Sequence, residues 1–416
     1  MKQMKKKSDT LLILSLSTTY PESVTSTKPK FVHVLNNELT KLGVKVRVIV
    51  PHTKGSMTNE IMNSVFIKRF KYLPEKYELN VRSIPDETKH SKFGKVKVAL
   101  MIGIFFIFTY VQCIKEKPDI IHGHWAFPGG YIAYIVSKIV GSKCVISIHG
   151  AETPLLKKSK FILKKTISSL NKSHAVIVNS DYTKNEYKKL GVKEDKMTRI
   201  NPPPNFVHHT QDRELLKKFR RKFTSDDSKI VLFVGRLVER KGVEYLIKAI
   251  PKIKATQVHV IIAGGGWLMN DLKELVTSLG LDNKVSFFGS PTNEDLGHLH
   301  DISDVFVVPS IVDSMGETEG LGLVIPEAME SGLPVIATAV GGIVDVVKNN
   351  ENGILINQKD SDAIAEAVDK ILSNKDFAGK LIQNSKKTVN EFLPSLIAKK
   401  HLKVFQEIIS SSNKTH

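Results

Sequence analysis

The stretch "DVFVVPSIVDSMGETEGLGLVIPEAMESGLPVIATA", residues 304–339, is where the reading of this chain begins. "DVFVVPS" and "PVIATA" read as buried strands, and between them "EGLGLVIPE", residues 319–327, sets two glutamates around seven uncharged residues. A short apolar run bounded by charge is ordinarily a buried strand with solvated ends. Here Gly320 and Gly322 would weaken a strand interior, and Pro326 fixes φ and removes a donor. Pro326 fits the first turn of a helix, "PEAMES", closed by Gly332 and by Pro334 just beyond. Glu319 then lies in a glycine loop and Glu327 in the first helical turn. Such a loop, backed by a helix N-terminus, brings backbone N–H groups close to an anion, typically phosphate. Carboxylates beside it call for hydroxyl partners, so a ligand with both phosphate and sugar hydroxyls satisfies the pattern.

The same alternation runs the length of the chain. "LLILSLS" is followed by a helix pattern over 31–42 and by "VKVRVIVP"; later come "DIIHGHW", a helix from Gly130, "CVISIHG", a lysine-rich helix, "AVIVNS" and a helix beginning near Ser180. Continuous apolar strands joined through helices imply parallel sheets covered on both faces. At "NPPPN", residues 201–205, three prolines stiffen an extended link. The pattern restarts with "KIVLFVGR", "VHVIIAGGG", "KVSFFG", "DVFVVPS" and "PVIATA". The expectation is an α/β protein of two doubly wound, Rossmann-like domains facing across a cleft, residues 1–205 and 206–392. Ligands of such sheets bind beyond the carboxyl ends of the strands.

The 416 residues carry a formal charge of +19, and the excess is one-sided. Residues 1–200 hold 35 Lys and Arg against 15 Asp and Glu, leaving 26 against 27 in the remainder. An anionic partner therefore meets the first half. The basic runs, "KKK" at 5–7 and "LLKKSKFILKK" at 155–165, lack interleaved aromatics for stacking bases, which argues against nucleic acid and leaves an anionic membrane surface or a lipid phosphate. Leu11 to Leu16 is short for a signal core and no small-residue cleavage site follows, so it reads as a first strand. "VALMIGIFFIFTYVQCI", residues 98–114, falls at the lower edge of spanning length and reads as a buried or interfacial helix. Cys113 and Cys144 have no metal or redox spacing, which fits a reducing, cytoplasmic setting, with the chain peripheral at the inner face of a membrane.

The residues after each strand form a consistent set. "GRLVERKG" places Gly235, Arg236 and Lys241 where a strand gives way to a helix, an arginine fork and a lysine point charge suited to a diphosphate. "GGGW" supplies Gly265, "SFFG" supplies Phe288, and "AVGGIVD", residues 339–345, adds a further glycine pair. In the first half the strand ends carry His122 and His124 in "HGHWAFPGG", and His149 and Glu152 in "SIHGAE". Without a thiolate or an HExxH spacing, zinc is disfavoured.

These segments together resemble glycosyltransferase family 4, the retaining nucleotide-sugar transferases of GT-B fold. The resemblance runs from the first strand to a final helix near residues 393–409, and the spacing of the glutamate pair in its Gly and Pro-Val context is specific. It implies that Glu327 grips the ribose hydroxyls and that Glu319 lies by the donor sugar. Arg236 and Lys241 would hold the diphosphate, with Gly320, Leu321, Gly322 and Leu323 lining the nucleotide. His149 would sit at the donor sugar, and the last helix, within 393–416, would cross back to the first domain.

The chain departs from the family pattern in three places. The loop after the first strand, "TTYPESVTSTKPKF", has no glycine; "NPPPNF" replaces the customary Asn-Gly-Val-Asp; and Asp345 replaces a glutamate. Glu317 competes with Glu319 as the first acid, but only Glu319 has the spacing. The expected reaction moves a hexose from a UDP- or GDP-sugar to a glycan or lipid-linked acceptor hydroxyl, with no metal required. The rival readings are a sugar-nucleotide epimerase or hydrolase and a non-catalytic protein that binds anionic surfaces.

Overall fold

The structure, a computed structural model, describes residues 10–23, 26, 30–79, 92–150, 152–207 and 209–413. The chain divides into two compact units. The first takes residues up to Asn179, Thr183–Pro203 and Pro394 onward; the second takes Ser180–Tyr182 and Pro204–Leu393.

The first unit runs β1 (Leu12–Leu16), α1 (Phe31–Lys41), β2 (Lys45–Pro51), β3 (Asn59–Met62), β4 (Val65–Phe70), α2 (Lys92–Glu116), β5 (Ile120–His124) and α3 (Tyr131–Val140). It continues with β6 (Lys143–Ile148), α4 (Thr153–Lys157), α5 (Lys160–Lys172), β7 (Ala175–Val178), α6 (Asp181–Lys189, of this unit from Thr183 on) and β8 (Met197–Arg199). The sheet order is β3-β4-β2-β1-β5-β6-β7-β8, parallel except for the β3–β4 hairpin. Both faces are covered, as continuous apolar strands require. Leu14, Leu16, Ile121 and Ile146 pack under α2, α3 and α5 on one face. Ile13, Val48, Ile120 and Val145 pack on the other with α1 and the last helix, which contributes Ile397, Ala398 and Phe405. The hairpin of β3 and β4 carries no helix between its strands and escaped the sequence pattern.

The second unit runs α7 (Arg213–Arg220), β9 (Lys229–Val234), α8 (Val243–Ala249), β10 (Val258–Ala263), α9 (Met269–Ser278), β11 (Val285–Gly289), α10 (Asn293–Asp301) and β12 (Val305–Val308). It closes with α11 (Val324–Glu330), β13 (Val335–Thr338), α12 (Ile343–Val346), β14 (Ile354–Ile356), α13 (Ser361–Ser373) and α14 (Lys375–Glu391). The final helix, α15 (Pro394–Asn413), belongs with the first unit. The six strands are all parallel in the order β11-β10-β9-β12-β13-β14. Val231, Phe233, Val260 and Val305 face one apolar layer, and Leu232, Ile261, Phe306 and Val308 the other.

Two expectations need adjusting. The helix after the glycine loop begins at Val324, two residues before Pro326, and is only seven residues long. So short a helix has a small macrodipole, which weakens the case for a strong anion site at its N-terminus. The apolar helix of the first half is also longer than its uncharged core, because lysines at its start and Glu116 at its end continue the same hydrogen-bonded run.

Candidate active site

In the second sheet, connections leave β9 toward one edge and β12 toward the other, so the topological switch lies between these two strands. A crevice opens beyond the carboxyl ends at such a point. The loop after β9 carries Arg236, Arg240 and Lys241, and the loop after β12 leads to Glu319. The sheet thus brings "RLVERK" and "GETEG" together across some 80 residues of chain.

Their meeting is an ion cluster. Lys241 Nζ lies 2.8 Å from Glu319 Oε1 and Arg240 Nε lies 3.5 Å from the same oxygen. Both Lys241 and Glu319 are buried. Burial alone would raise the Glu319 carboxyl, but Lys241 and Arg240, with Arg236 further off, overcome it and hold the group at about 2. Lys241 is drawn below its ordinary value by burial and by the two guanidinium groups, while Glu319 opposes that fall. The result is a buried carboxylate that stays ionised and fixes a cluster of three cations, of which Arg236 is exposed. Glu317 does not join it: its N–H donates to Asp313 Oδ1 at 2.8 Å, in a turn that also receives Met315 N–H at 2.9 Å.

The glycines of these loops serve close packing. A Cβ on Gly242 would stand 2.0 Å from Pro309 O, and one on Gly264 1.8 Å from Gly235 O. A Cβ on Gly266 would meet Leu237 O at 2.2 Å, and Gly342 would meet Gly320 O at 2.1 Å. Backbone bonds lie in the gaps: Gly235 N–H to Ala263 O at 2.9 Å, Leu237 N–H to Gly265 O at 2.9 Å, Ile311 N–H to Arg240 O at 2.8 Å and Gly342 N–H to Glu319 O at 2.9 Å. Three strand-end loops and the Gly341–Gly342 turn are therefore laced main chain to main chain, and no side chain could be inserted without separating them. Gly322 has φ +83, a conformation that favours glycine.

Glu327 is the second acid. Its Oε1 accepts Asn205 N–H at 3.0 Å. Burial lifts its carboxyl to about 7 against the opposing Asn205 N–H and Lys241. The two glutamates are thus set apart by environment, one an anion at every ordinary pH and the other poised near neutrality.

The first unit carries its own polar cluster beyond β5 and β6. His122 Nε2 meets Ser147 Oγ at 2.8 Å, and His124 Nδ1 meets His149 Nε2 at 3.3 Å with the two rings stacked 12° from parallel. Glu152 Oε1 accepts the N–H groups of Ala126 at 3.1 Å and His149 at 3.2 Å, and Asn179 donates to His149 O at 2.9 Å. Burial, with the neighbouring His401 adding to it, lowers His149 to about 3, and burial drives His122 and His124 well below their ordinary value. All three are neutral hydrogen-bonding rings. His149 Nδ1 and Glu152 Oε2 are buried without a hydrogen-bond partner. Among the described residues no group of three His, Cys, Asp or Glu is arranged to hold a metal ion.

The structure sorts the residues singled out in the sequence. Glu319, Lys241 and Arg236 come together; Arg240, which sequence reasoning missed, joins them because the turn Glu239–Lys241 presents successive side chains to the same carboxylate. Leu321 is a core residue, 3% exposed, whose side chain is closed to a ligand, and Leu323, partly buried, packs against the same layer. Phe288 packs with Phe219 and Phe223 at ring distances of 6.1 and 6.0 Å. Gly265 alone of the glycine triplet leaves room, its Cβ position lying 3.2 Å from Ser290 Oγ. In the glycine-free loop after β1, Arg69 donates to Pro21 O at 2.8 Å and Tyr20 Oη meets His33 Nδ1 at 2.9 Å; Val24, Thr25 and residues 27–29 lie outside the described residues.

Comparison with known proteins bears on the whole chain. Residues 216–388 match the family described as glycosyl transferases group 1, and residues 30–207 match glycosyltransferase family 4. An uncharacterized glycosyltransferase of Methanocaldococcus jannaschii is 35% identical over 66% of this chain and 72% of its own length. A GDP-mannose-dependent alpha-(1-6)-phosphatidylinositol monomannoside mannosyltransferase of Mycobacterium tuberculosis is 27% identical over 57% of this chain and 62% of its own. The crystal structure of Anabaena HepE in complex with UDP superposes with a TM-score of 0.73 over 96% of this chain and 100% of that one, at 17% identity, a likeness of fold. By sequence and by fold, the chain belongs to the group 1 glycosyltransferases of family 4.

Proposed function

We propose that this glycosyltransferase moves a hexose from a nucleoside diphosphate sugar to an acceptor hydroxyl with retention of anomeric configuration. The observation that carries the reading is the buried Glu319 carboxylate holding Lys241 and Arg240 at the switch point of the second sheet, with Arg236 beside them. Departure of the diphosphate is the demanding step, and preorganised cations stabilise charge as it develops, each key donor contributing on the order of 3 kcal/mol. Arg236 and Lys241 take the phosphate oxygens, and no resident metal is required. Glu319, ionised throughout, cannot act as a general acid; it orients the cations and accepts a hydrogen bond from the sugar. Glu327 accepts the ribose hydroxyls. His149, neutral and with Nδ1 unpartnered, serves the donor sugar as a hydrogen-bonding group. In the transfer the acceptor oxygen bonds to the anomeric carbon on the face that the phosphate oxygen leaves. The acceptor proton passes to that departing phosphate.

The donor is a UDP- or GDP-sugar. HepE is described in complex with UDP and the mycobacterial relative is named as GDP-mannose-dependent and as acting on a phosphatidylinositol mannoside, which supports a glycan or lipid-linked acceptor. Two free, buried cysteines support a cytoplasmic setting. The test is a thermal-shift screen of UDP, GDP and ADP sugars, followed by product analysis of the stabilising donor with and without acceptor lipid or glycan, and with chelator. Transfer with retained configuration, undiminished by chelator, is expected. Release of free sugar or of an epimerised nucleotide sugar, with no acceptor product, would overturn it.

A further inference from the structure

Helix α2 is apolar on every side, yet among the described residues only one side is covered. Met101, Phe105, Thr109 and Cys113, at the four-residue spacing of one helical face, are buried against the first sheet. The opposite face shows Phe93, Val96, Leu100, Ile107 and Ile114, between 41% and 62% exposed, recurring at helical intervals of three, four and seven. A helix hydrophobic all round is expected inside a protein or in contact with lipid. Soluble surfaces seldom expose a contiguous patch of this kind without a partner for it. α2 packs beside α3 and α3 beside α5, and these neighbours extend the patch with Ile139, 56% exposed, and Phe161, 71% exposed.

The charges of this layer identify the partner. Lys95, Lys115, Lys138, Lys160, Lys164 and Lys165 are all exposed on the three helices. Glu116 is the sole carboxylate in them, and it is engaged by Lys68 at 2.8 Å and Arg47 at 3.2 Å. The lysine ammonium groups of Lys97 and Lys165 lie over the rings of Phe93 and Phe161 at 5.2 and 5.6 Å, so apolar and cationic groups occupy the same ground. An apolar stripe bordered by cations is the complement of an interface where acyl chains meet anionic headgroups. A protein partner would be expected to leave some carboxylates in such a surface; a bilayer repels them.

From this juxtaposition we infer that the α2–α3–α5 face of the first unit docks onto an anionic lipid bilayer, with α2 lying in the interfacial plane. The segment Phe93–Glu116 is long and apolar enough to cross a membrane by length and composition. Its inner face is committed to the core of the sheet, so crossing would strip Phe105 and Cys113 from their packing. The inference concerns a surface away from the strand-end loops and does not rest on the transfer reaction.

The test is sedimentation of the full chain with phosphatidylcholine vesicles and with vesicles carrying added phosphatidylglycerol, in the absence of donor and acceptor. Binding is expected to the anionic vesicles alone and to weaken as salt rises. The double variant Leu100→Glu/Ile107→Glu, with fold checked by its melting curve and by nucleotide binding, should bind at least about tenfold more weakly. Lys164→Glu/Lys165→Glu, which leaves the apolar stripe intact, should also weaken binding. Failure to bind anionic vesicles, binding unchanged in both variants, or retention through an alkaline carbonate wash, as for a spanning helix, would each overturn the inference. So would a stable dimer that Leu100→Glu/Ile107→Glu dissolves without any vesicle binding.

Discussion

Lys241 Nζ stands 2.8 Å from Glu319 Oε1, each side chain 10% exposed. Neither charge could occupy its place alone, because a buried ion without a counter-charge loses its hydration with nothing in return. Lys241→Ala, which leaves the buried carboxylate only the longer contact to Arg240 at 3.5 Å, is expected to destabilise the fold by about 3 kcal/mol. The double variant Lys241→Met/Glu319→Leu should lose less than Lys241→Met and Glu319→Leu summed. Urea unfolding of the four proteins measures the coupling. Activity should separate from stability, since the double variant, even if well folded, lacks the phosphate-binding cation.

The acid limb of stability follows from the same pair. Glu319 is held at about 2 in the folded chain against an ordinary 4.5. Its folded value is depressed, so its contribution is complete above the unfolded value and is lost as pH falls from 4.5 toward 2. Stability measured across that window should fall less steeply in Glu319→Gln than in the native chain. Parallel slopes would contradict the ion pair.

Glu327 has the opposite sign. Its folded value of about 7 lies above the ordinary 4.5, so ionisation between those values destabilises the fold as pH rises. Ribose hydroxyls that donate to the carboxylate favour its charged form, and nucleotide binding between pH 4.5 and 7 should therefore release a proton. Calorimetry in buffers of different ionisation enthalpy reads that proton directly. Glu327→Gln should abolish the release and weaken nucleotide binding about tenfold or more.

Glycine substitutions distinguish laced loops from tolerant surface. Gly342→Ala would place its Cβ 2.1 Å from Gly320 O, forcing apart the turn that holds Glu319. A loss of about 1–3 kcal/mol and weaker donor binding are expected. Gly379, inside α14 with nothing within 4 Å of its Cβ position, should accept alanine with a gain of about 0.5–1 kcal/mol. Melting curves of the two variants should move in opposite directions.

The sheets and their layers were legible in the sequence because continuous apolar strands alternating with helices have few three-dimensional solutions. The β3–β4 hairpin was not, since short antiparallel strands on an edge lack that alternation. In the site, spacing alone selected Glu319 over Glu317, and the structure pairs Glu319 with Lys241 while Glu317 sits in the Asp313 turn. Arg240 was passed over because its neighbours in "VERK" look like any solvated run. Glycine-rich loops were read as openings for a ligand; Gly265 and Gly322 face side chains, whereas Gly264, Gly266, Gly341 and Gly342 are closed by the carbonyl of another loop.

The sequence by itself determined the alternation of strands with helices, that both sheet faces are buried, and which residue types wait at the strand ends. These depend on local periodicity and on nearest-neighbour turn chemistry, which a linear pattern carries in full. Only the tertiary structure decided that Glu319 is a permanent anion while Glu327 titrates near neutrality, and that Phe93, Val96, Leu100, Ile107 and Ile114 of α2 are exposed. Those properties depend on which distant charges and apolar groups surround a side chain, and the order of strands in the sheet, not spacing along the chain, sets that neighbourhood.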